Sequence, residues 1–310
     1  NGRASVSFTG NNTRVTNNGI IDPSMDSAIL SLSSGLFIGN TNNNLLSITN
    51  NNTIQGTSDS RNFPLTTLTG MAIQVRNGLG GTTTITNNGI IAGTPLIGIT
   101  GLAAADIPVV GVEGGGTVVM TNTGTITGRI SFQGSSAGNN FTNSGMLTGS
   151  LSMGAGAGAN RFNAITGSSV STGGGTASTL SISGQTANFA AAGIVDGGLG
   201  SNSTLALQNA VGGGAGTNGS GIISSDNFKN FSHLIVDAGT WTMFGPVLTG
   251  TTTSTVLNGG ILSVDNNAAL GTGVITSAGT GGNLRAGASS VTLNNPISIT
   301  GSDLGVSGSN

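Results

Sequence analysis

Val15-Thr-Asn-Asn-Gly-Ile-Ile21 returns as Ile48-Thr-Asn-Asn-Asn-Thr-Ile54 and as Ile85-Thr-Asn-Asn-Gly-Ile-Ile91. It returns again as Met120-Thr-Asn-Thr-Gly-Thr-Ile126 and Phe141-Thr-Asn-Ser-Gly-Met-Leu147, then shortens to Phe162-Asn-Ala-Ile165. The first residues of these phrases are 33, 37, 35, 21 and 21 positions apart. The last two intervals set the basic unit, because Ile130-Ser-Phe132 reappears at that same spacing as Leu151-Ser-Met153. Each phrase is a short apolar/polar alternation, a turn-prone Asn or Asn-Gly step, then a second apolar residue. Short alternating runs bounded by such residues read as half-buried strands. A strand this short cannot bury its apolar side alone, but stacked copies bury one continuous column. The phrase therefore predicts two interior ladders. One comprises Val15, Ile48, Ile85, Met120, Phe141 and Phe162; the other comprises Ile21, Ile54, Ile91, Ile126, Leu147 and Ile165. Asn at the corners tolerates left-handed backbone and can hydrogen-bond its copy in the next coil.

Composition agrees. Gly, Thr, Ser and Asn number 56, 42, 37 and 35, which is 170 of 310 residues. Lys and Arg together number only 8, and Asp and Glu only 10. Typical helix formers are scarce: Glu and Lys occur once each, as Glu113 and Lys229. Glycine has no period of three, which excludes collagen. The expected class is all-β, a right-handed parallel β-helix (β-solenoid) forming a single rod-like domain, the hand following the usual crossover preference. Residues 1–170 carry the basic repeat with inserted loops. Residues 171–310 continue the same solenoid more loosely, through Leu180-Ser-Ile182, Leu205-Ala-Leu207 and Leu257 to Val264.

Eight basic residues in a chain of net charge −2 cannot make the cationic stripe that nucleic acid requires, so no nucleic acid is expected as a partner. No apolar run nears the length of a membrane-spanning helix, so no transmembrane segment is expected. There is no cysteine, which removes disulfides and thiolate metal sites.

Chemistry-bearing motifs are few. Gly134-Ser-Ser-Ala-Gly138 has the form of a nucleophile elbow, but chance alone gives about one match in a chain this rich in Gly and Ser, and an elbow needs a strand-to-helix turn. Gly214-Ala-Gly-Thr-Asn-Gly219 has the dinucleotide form without the helix that would hold a pyrophosphate. His233 is the only histidine and reads as an outward or edge residue. Trp241, in an alternating Thr240–Phe244 run, reads as a packing residue. The carboxylates Asp22 and Asp26 are the closest N-terminal pair, so a polysaccharide-acting hydrolase or lyase on this scaffold stands as the alternative function. No cofactor and no metal site is expected.

The three long intervals exceed the basic one by 12, 16 and 14, placing extra chain near 22–35, 57–70 and 93–108. These stretches hold Pro23, Pro64, Pro95 and Pro108 together with Asp22, Asp26, Asp59, Arg61 and Asp106. Insertions at equivalent repeat positions emerge on one side of a solenoid. They are read either as surface elaborations, including an extra strand per coil, or as an adhesive surface carried by those five charged residues.

The Thr-Asn-x-Gly-x-Ile/Leu phrases resemble the repeats of bacterial autotransporter passenger domains of the adhesin type. Phe228 to Trp241 is similar to their stem, and Leu257 to Gly273 is similar to the passenger-associated strand repeat. The resemblance implies an exported protein at the cell surface or outer membrane of a Gram-negative bacterium, working in adhesion or self-association. Its partners would be a host-cell surface receptor, a glycan, extracellular matrix, or another copy of itself. The lack of a barrel-forming pattern implies a passenger without its translocator, and no protease, lipase or toxin module is recognisable.

Overall fold

The computed structural model describes residues 3–8, 12–22, 33–39, 45–56, 71–94, 103–156, 158–176, 178–182, 187–198, 202–210, 219–249, 252–288 and 290–308. These form a parallel β-helix, with strands joined almost wholly in parallel. One antiparallel pair, Leu180–Ile182 with Ala187–Phe189, is the exception among the described residues. Two compact units divide the chain. The first comprises Asn1–Phe141, Gly145–Gly158 and Ser169–Asp196, and the second comprises Thr142–Ser144, Ala159–Ser168 and Gly197–Asn310.

In the first unit the coils build three faces. The first face stacks Arg14–Asn17, Leu45–Asn50, Thr82–Asn87 and Thr117–Asn122. The second stacks Ile20–Ile21, Thr53–Gly56, Ile90–Gly93, the start of Thr125–Phe132, the start of Met146–Ser152, and Ser169–Ser171. The third stacks Arg3–Phe8, Ser33–Gly39, Ile73–Arg76, Pro108–Glu113, the ends of the two bent strands, and Val195–Asp196. The long intervals thus build the second and third faces from separate strands. In the shortest coils a single strand turns from the second face to the third at Gly128 or Gly149, whose φ values are 135° and 151°. A side chain at Gly149 would strike the Gly128 carbonyl oxygen, so the bend needs glycine at both levels.

The predicted ladders are present. Val15 pairs with Ile48, Ile48 with Ile85, and Ile85 with Met120, all buried. Ile21 pairs with Ile54, then Ile91, Ile126 and Leu147 follow in register. The sixth member differs: Leu147 pairs with Val170, not Ile165. The strand Arg161–Ile165 lacks the Asn-Gly corner at the expected place and runs straight on, so Ile165 pairs with Gln208 and the chain turns later, at Gly167.

Between the first two ladders lies a column of asparagines. Asn17, Asn50, Asn87 and Asn122 are all buried. Each Nδ2 donates to the Oδ1 of the next, at 2.8 Å from Asn17 to Asn50, from Asn50 to Asn87 and from Asn87 to Asn122. The second amide hydrogen of each is taken by carbonyls. Asn87, for example, also reaches Gly89 O and Thr125 O, each at 3.2 Å. One side chain thereby holds its own corner and the corner of the following coil. Stacked glycines complete the corner, since a Cβ at Gly124 would meet the Gly89 carbonyl oxygen.

In the second unit one face stacks Arg161–Ile165, Thr204–Gln208, His233–Val236, Ser254–Leu257, Val274–Ser277 and Ile297–Ile299. The other stacks Ser220–Ser224, Thr240–Phe244, Ile261–Val264, Asn283–Ala286 and Gly305–Ser307. Trp241 packs inside this unit, with its indole N–H donating to Ala238 O at 2.9 Å. Gly221 lies opposite it and leaves room for the ring.

Two expected outcomes test this construction. Ile85→Asp buries an uncompensated carboxylate and costs about 4 kcal/mol or more, whereas Thr86→Asp, one residue on and facing outward, stays within about 0.5 kcal/mol. Urea unfolding followed by circular dichroism reads both; equal costs would mean that the alternation is misassigned. Asn87→Leu removes the acceptor of one Asn50 amide hydrogen and the donor to Asn122 Oδ1, and a loss of about 3 kcal/mol is expected by the same measurement.

Candidate functional site

The three faces of the first unit differ in what they leave open. The third is covered where the two bent strands run. The segment around the antiparallel pair lies over it: Ser131 Oγ donates to Asn188 O at 2.8 Å, Ser150 Oγ to Ala190 O at 2.7 Å, and Ala190 N to Ser152 Oγ at 2.8 Å. Beneath the same segment Arg129 Nη2 meets Asp106 Oδ1 at 2.6 Å, while Nη1 donates to Ser178 O at 2.6 Å. Asp106 in turn accepts the Thr176 amide at 2.8 Å. These contacts bury outward-pointing polar groups that would otherwise be wet.

Asp106 therefore departs from the sequence expectation of an adhesive surface residue. It is 1 % exposed, its carboxylate is taken up by Arg129 and Thr176, and it cannot touch an external partner. Asp22 is partly exposed at the end of the second face. Asp26, Asp59 and Arg61 lie outside the described residues.

The first and second faces are open, and their outward columns run in strict register despite the unequal intervals. Thr16, Thr49, Thr86 and Thr121 form one column of the first face. At the exposed corner Asn51 donates to Asn18 at 2.8 Å, Asn88 donates to Asn51 at 2.9 Å, and the Thr123 hydroxyl donates to Asn88 at 3.0 Å. On the second face Ile20, Thr53, Ile90, Thr125, Met146 and Ser169 stand in line. Ile20, Ile90 and Met146 are 67 %, 45 % and 53 % exposed. Beside them run Gln55, Ala92, Thr127, Thr148 and Ser171. No charge stands among these side chains except Asp22 at the edge of the second face, and Arg14 on the first. Sequence reasoning weighed charge and proline for a recognition surface and so passed over these columns. The signal was present in the same phrases that gave the interior, at the alternate positions.

No protein-family model, no curated protein and no solved structure matches this chain.

The remaining chemistry is sparse. His233 Nδ1 lies 2.7 Å from Ser254 Oγ, side by side on one face of the second unit. Among the described residues no carboxylate is hydrogen-bonded to that histidine, and a nucleophile pair needs such an orienting acid. Asp237 is held by Asn258 at 2.8 Å, Gln208 at 2.9 Å and Arg161 at 3.9 Å. Ser136 is exposed on a turn in which Ser135 Oγ accepts the Ala137 amide at 3.3 Å. Among the described residues no His, Asp or Glu cluster could hold a metal ion, and no helix is long and apolar enough to cross a membrane.

The carboxyl of Glu113 is strongly shifted. Burial raises it from 4.5 to about 7, against the pull of Arg76, whose Nε is 3.2 Å from Oε2. Its Oε1 is buried without a hydrogen-bond partner. The folded state thus holds this proton more tightly than the unfolded chain does. The stability it contributes is complete below 4.5 and is lost as pH rises through about 7. The urea midpoint of the protein falls across that window, and Glu113→Gln flattens the fall; a slope unchanged in the variant would assign the pH dependence to another group.

Proposed function

We propose that this chain is an adhesive module of the autotransporter passenger class, exported and displayed at the surface or outer membrane of its cell. It binds through the open, uncharged faces of its coils, to a surface receptor, glycan or matrix component, or to another copy of itself. The observation that carries this reading is the strict register of the outward columns, Thr16 to Thr121 and Ile20 to Ser169. A regular array of hydroxyls, amides and isolated apolar side chains makes many weak contacts, and such contacts sum to firm attachment when many copies act together. The repeat phrases that resemble adhesin passengers support the same reading. The in-register Asn corner supports it too, because it keeps the array ordered with little charge.

Display of the chain on a non-adherent bacterial cell tests the reading. Displaying cells should attach to epithelial cells, matrix-coated or glycan-coated surfaces, or settle together, several-fold above cells carrying the anchor alone. If displaying cells do neither, the adhesive reading fails. Release of reducing ends from polysaccharide by the purified chain would move the function to the enzymatic alternative.

A further inference from the structure

The second face of the first unit has a property that plain exposure does not imply. Along its outward column the side chains alternate in size, coil by coil: Ile20, Thr53, Ile90, Thr125, Met146, Ser169. Large apolar residues stand at the first, third and fifth levels, and small hydroxyl residues at the second, fourth and sixth. Such a column is a row of knobs and gaps. We propose that it is a self-pairing seam, on which a second copy of this chain docks face to face and antiparallel. This deepens the adhesive reading above and rests on it.

The choice of partner and direction follows from the pairing. Turned about a two-fold axis between the third and fourth levels, Ile20 meets the partner's Ser169, Thr53 meets the partner's Met146, and Ile90 meets the partner's Thr125. All six positions then oppose large with small. The contact is isologous and closes on itself. The neighbouring column agrees. Asp22, two residues after Ile20, meets the partner's Ser171, a hydroxyl that can donate to it; Gln55 meets the partner's Thr148, and Ala92 meets the partner's Thr127. A parallel in-register pair fails, since a two-fold along the column sets knob on knob at every odd level. A parallel pair shifted by one coil restores the alternation but fills only five levels and leaves the contact unsymmetrical. The face is otherwise uncharged, so the antiparallel pair brings no like charges together.

Size sets the strength. Six strands ~4.8 Å apart and two outward columns make a patch of roughly 25 by 15 Å. Two copies bury well under the ~1,200–2,000 Å² of a stable complex, which places the pair among weak, reversible contacts. A weak seam suits chains projecting from opposed cells, where antiparallel approach is the natural one and number supplies the hold.

The experiment uses the chain's lack of cysteine. Sheets packed face to face lie ~10 Å apart, within reach of a short bis-maleimide linker. Chains carrying Ile20→Cys are mixed with chains carrying Ser169→Cys, and separately with chains carrying Thr53→Cys. The first mixture should give a covalent heterodimer; the second should not, because the antiparallel pair holds those two positions about 19 Å apart along the seam. Sedimentation equilibrium of the unlabelled chain should show concentration-dependent dimers. Ile90→Asp, beside the two-fold axis, should weaken association at least tenfold, and Thr86→Asp on the first face less than twofold. Circular dichroism confirms that each variant folds, and the cysteine mixtures decide the matter if Ile90→Asp does not. Cross-linking of Ile20→Cys with Thr53→Cys, a wild-type chain that stays monomeric, or equal effects of the two aspartates would overturn the seam. Attachment of displaying cells to foreign surfaces is read separately, so the adhesive reading survives loss of the seam, and its own failure shows in that assay alone.

Discussion

A buried asparagine amide has two hydrogens to place and an oxygen to satisfy, and in a dry interior each one left unmet costs about 1–3 kcal/mol. The column Asn17, Asn50, Asn87 and Asn122 meets this demand only if every coil presents its corner at the same height and angle as the one before. That requirement fixes the coil. With the corner set, the residue two before it and the residue four after it must lie inside, which produces the two apolar ladders. The residues between must face outward, which produces the Thr and Ile columns. The regular exterior is thus a by-product of satisfying an interior amide.

The same repeat made much of this legible. The phrases Val15–Ile21 and Ile85–Ile91 carry strand, corner and strand in one short run, so local pattern alone locates both ladders and the stacked asparagines. What the sequence concealed was long-range. Asp106 looked like a surface charge in an insertion because its partner Arg129 is 23 positions on and Thr176 is 70 positions on. Burial of both depends on a segment that folds back over the third face, and nothing near Asp106 announces it. The repeat pattern places Ile165 after Leu147 in the second ladder, but without an Asn-Gly step the strand does not turn there.

The two units satisfy buried polar groups by different means. In the first, the amide chain runs from coil to coil, and its dipoles polarise one another. In the second, buried hydroxyls reach backbone carbonyls instead: Ser203 Oγ donates to Gly197 O at 2.7 Å. Thr255 stands between Leu234 and Ile275 with a buried hydroxyl that has no partner. Trp241 fills the facing wall by using the space that Gly221 leaves. The second unit therefore relies on volume matching where the first relies on hydrogen-bond order.

The glycine bend between the second and third faces bears on how such a chain can change. At Gly128 and Gly149 the strand crosses from one face to the other with no connecting loop, yet the longer coils build the same two faces around extra chain at that corner. The Asn corner lies at another vertex of the coil and is indifferent to what happens there. Length can thus be added or removed at this vertex while the remaining stack keeps its register. The vertex is a port for cargo: a lineage, or an engineer, can vary what is carried there without renegotiating the core.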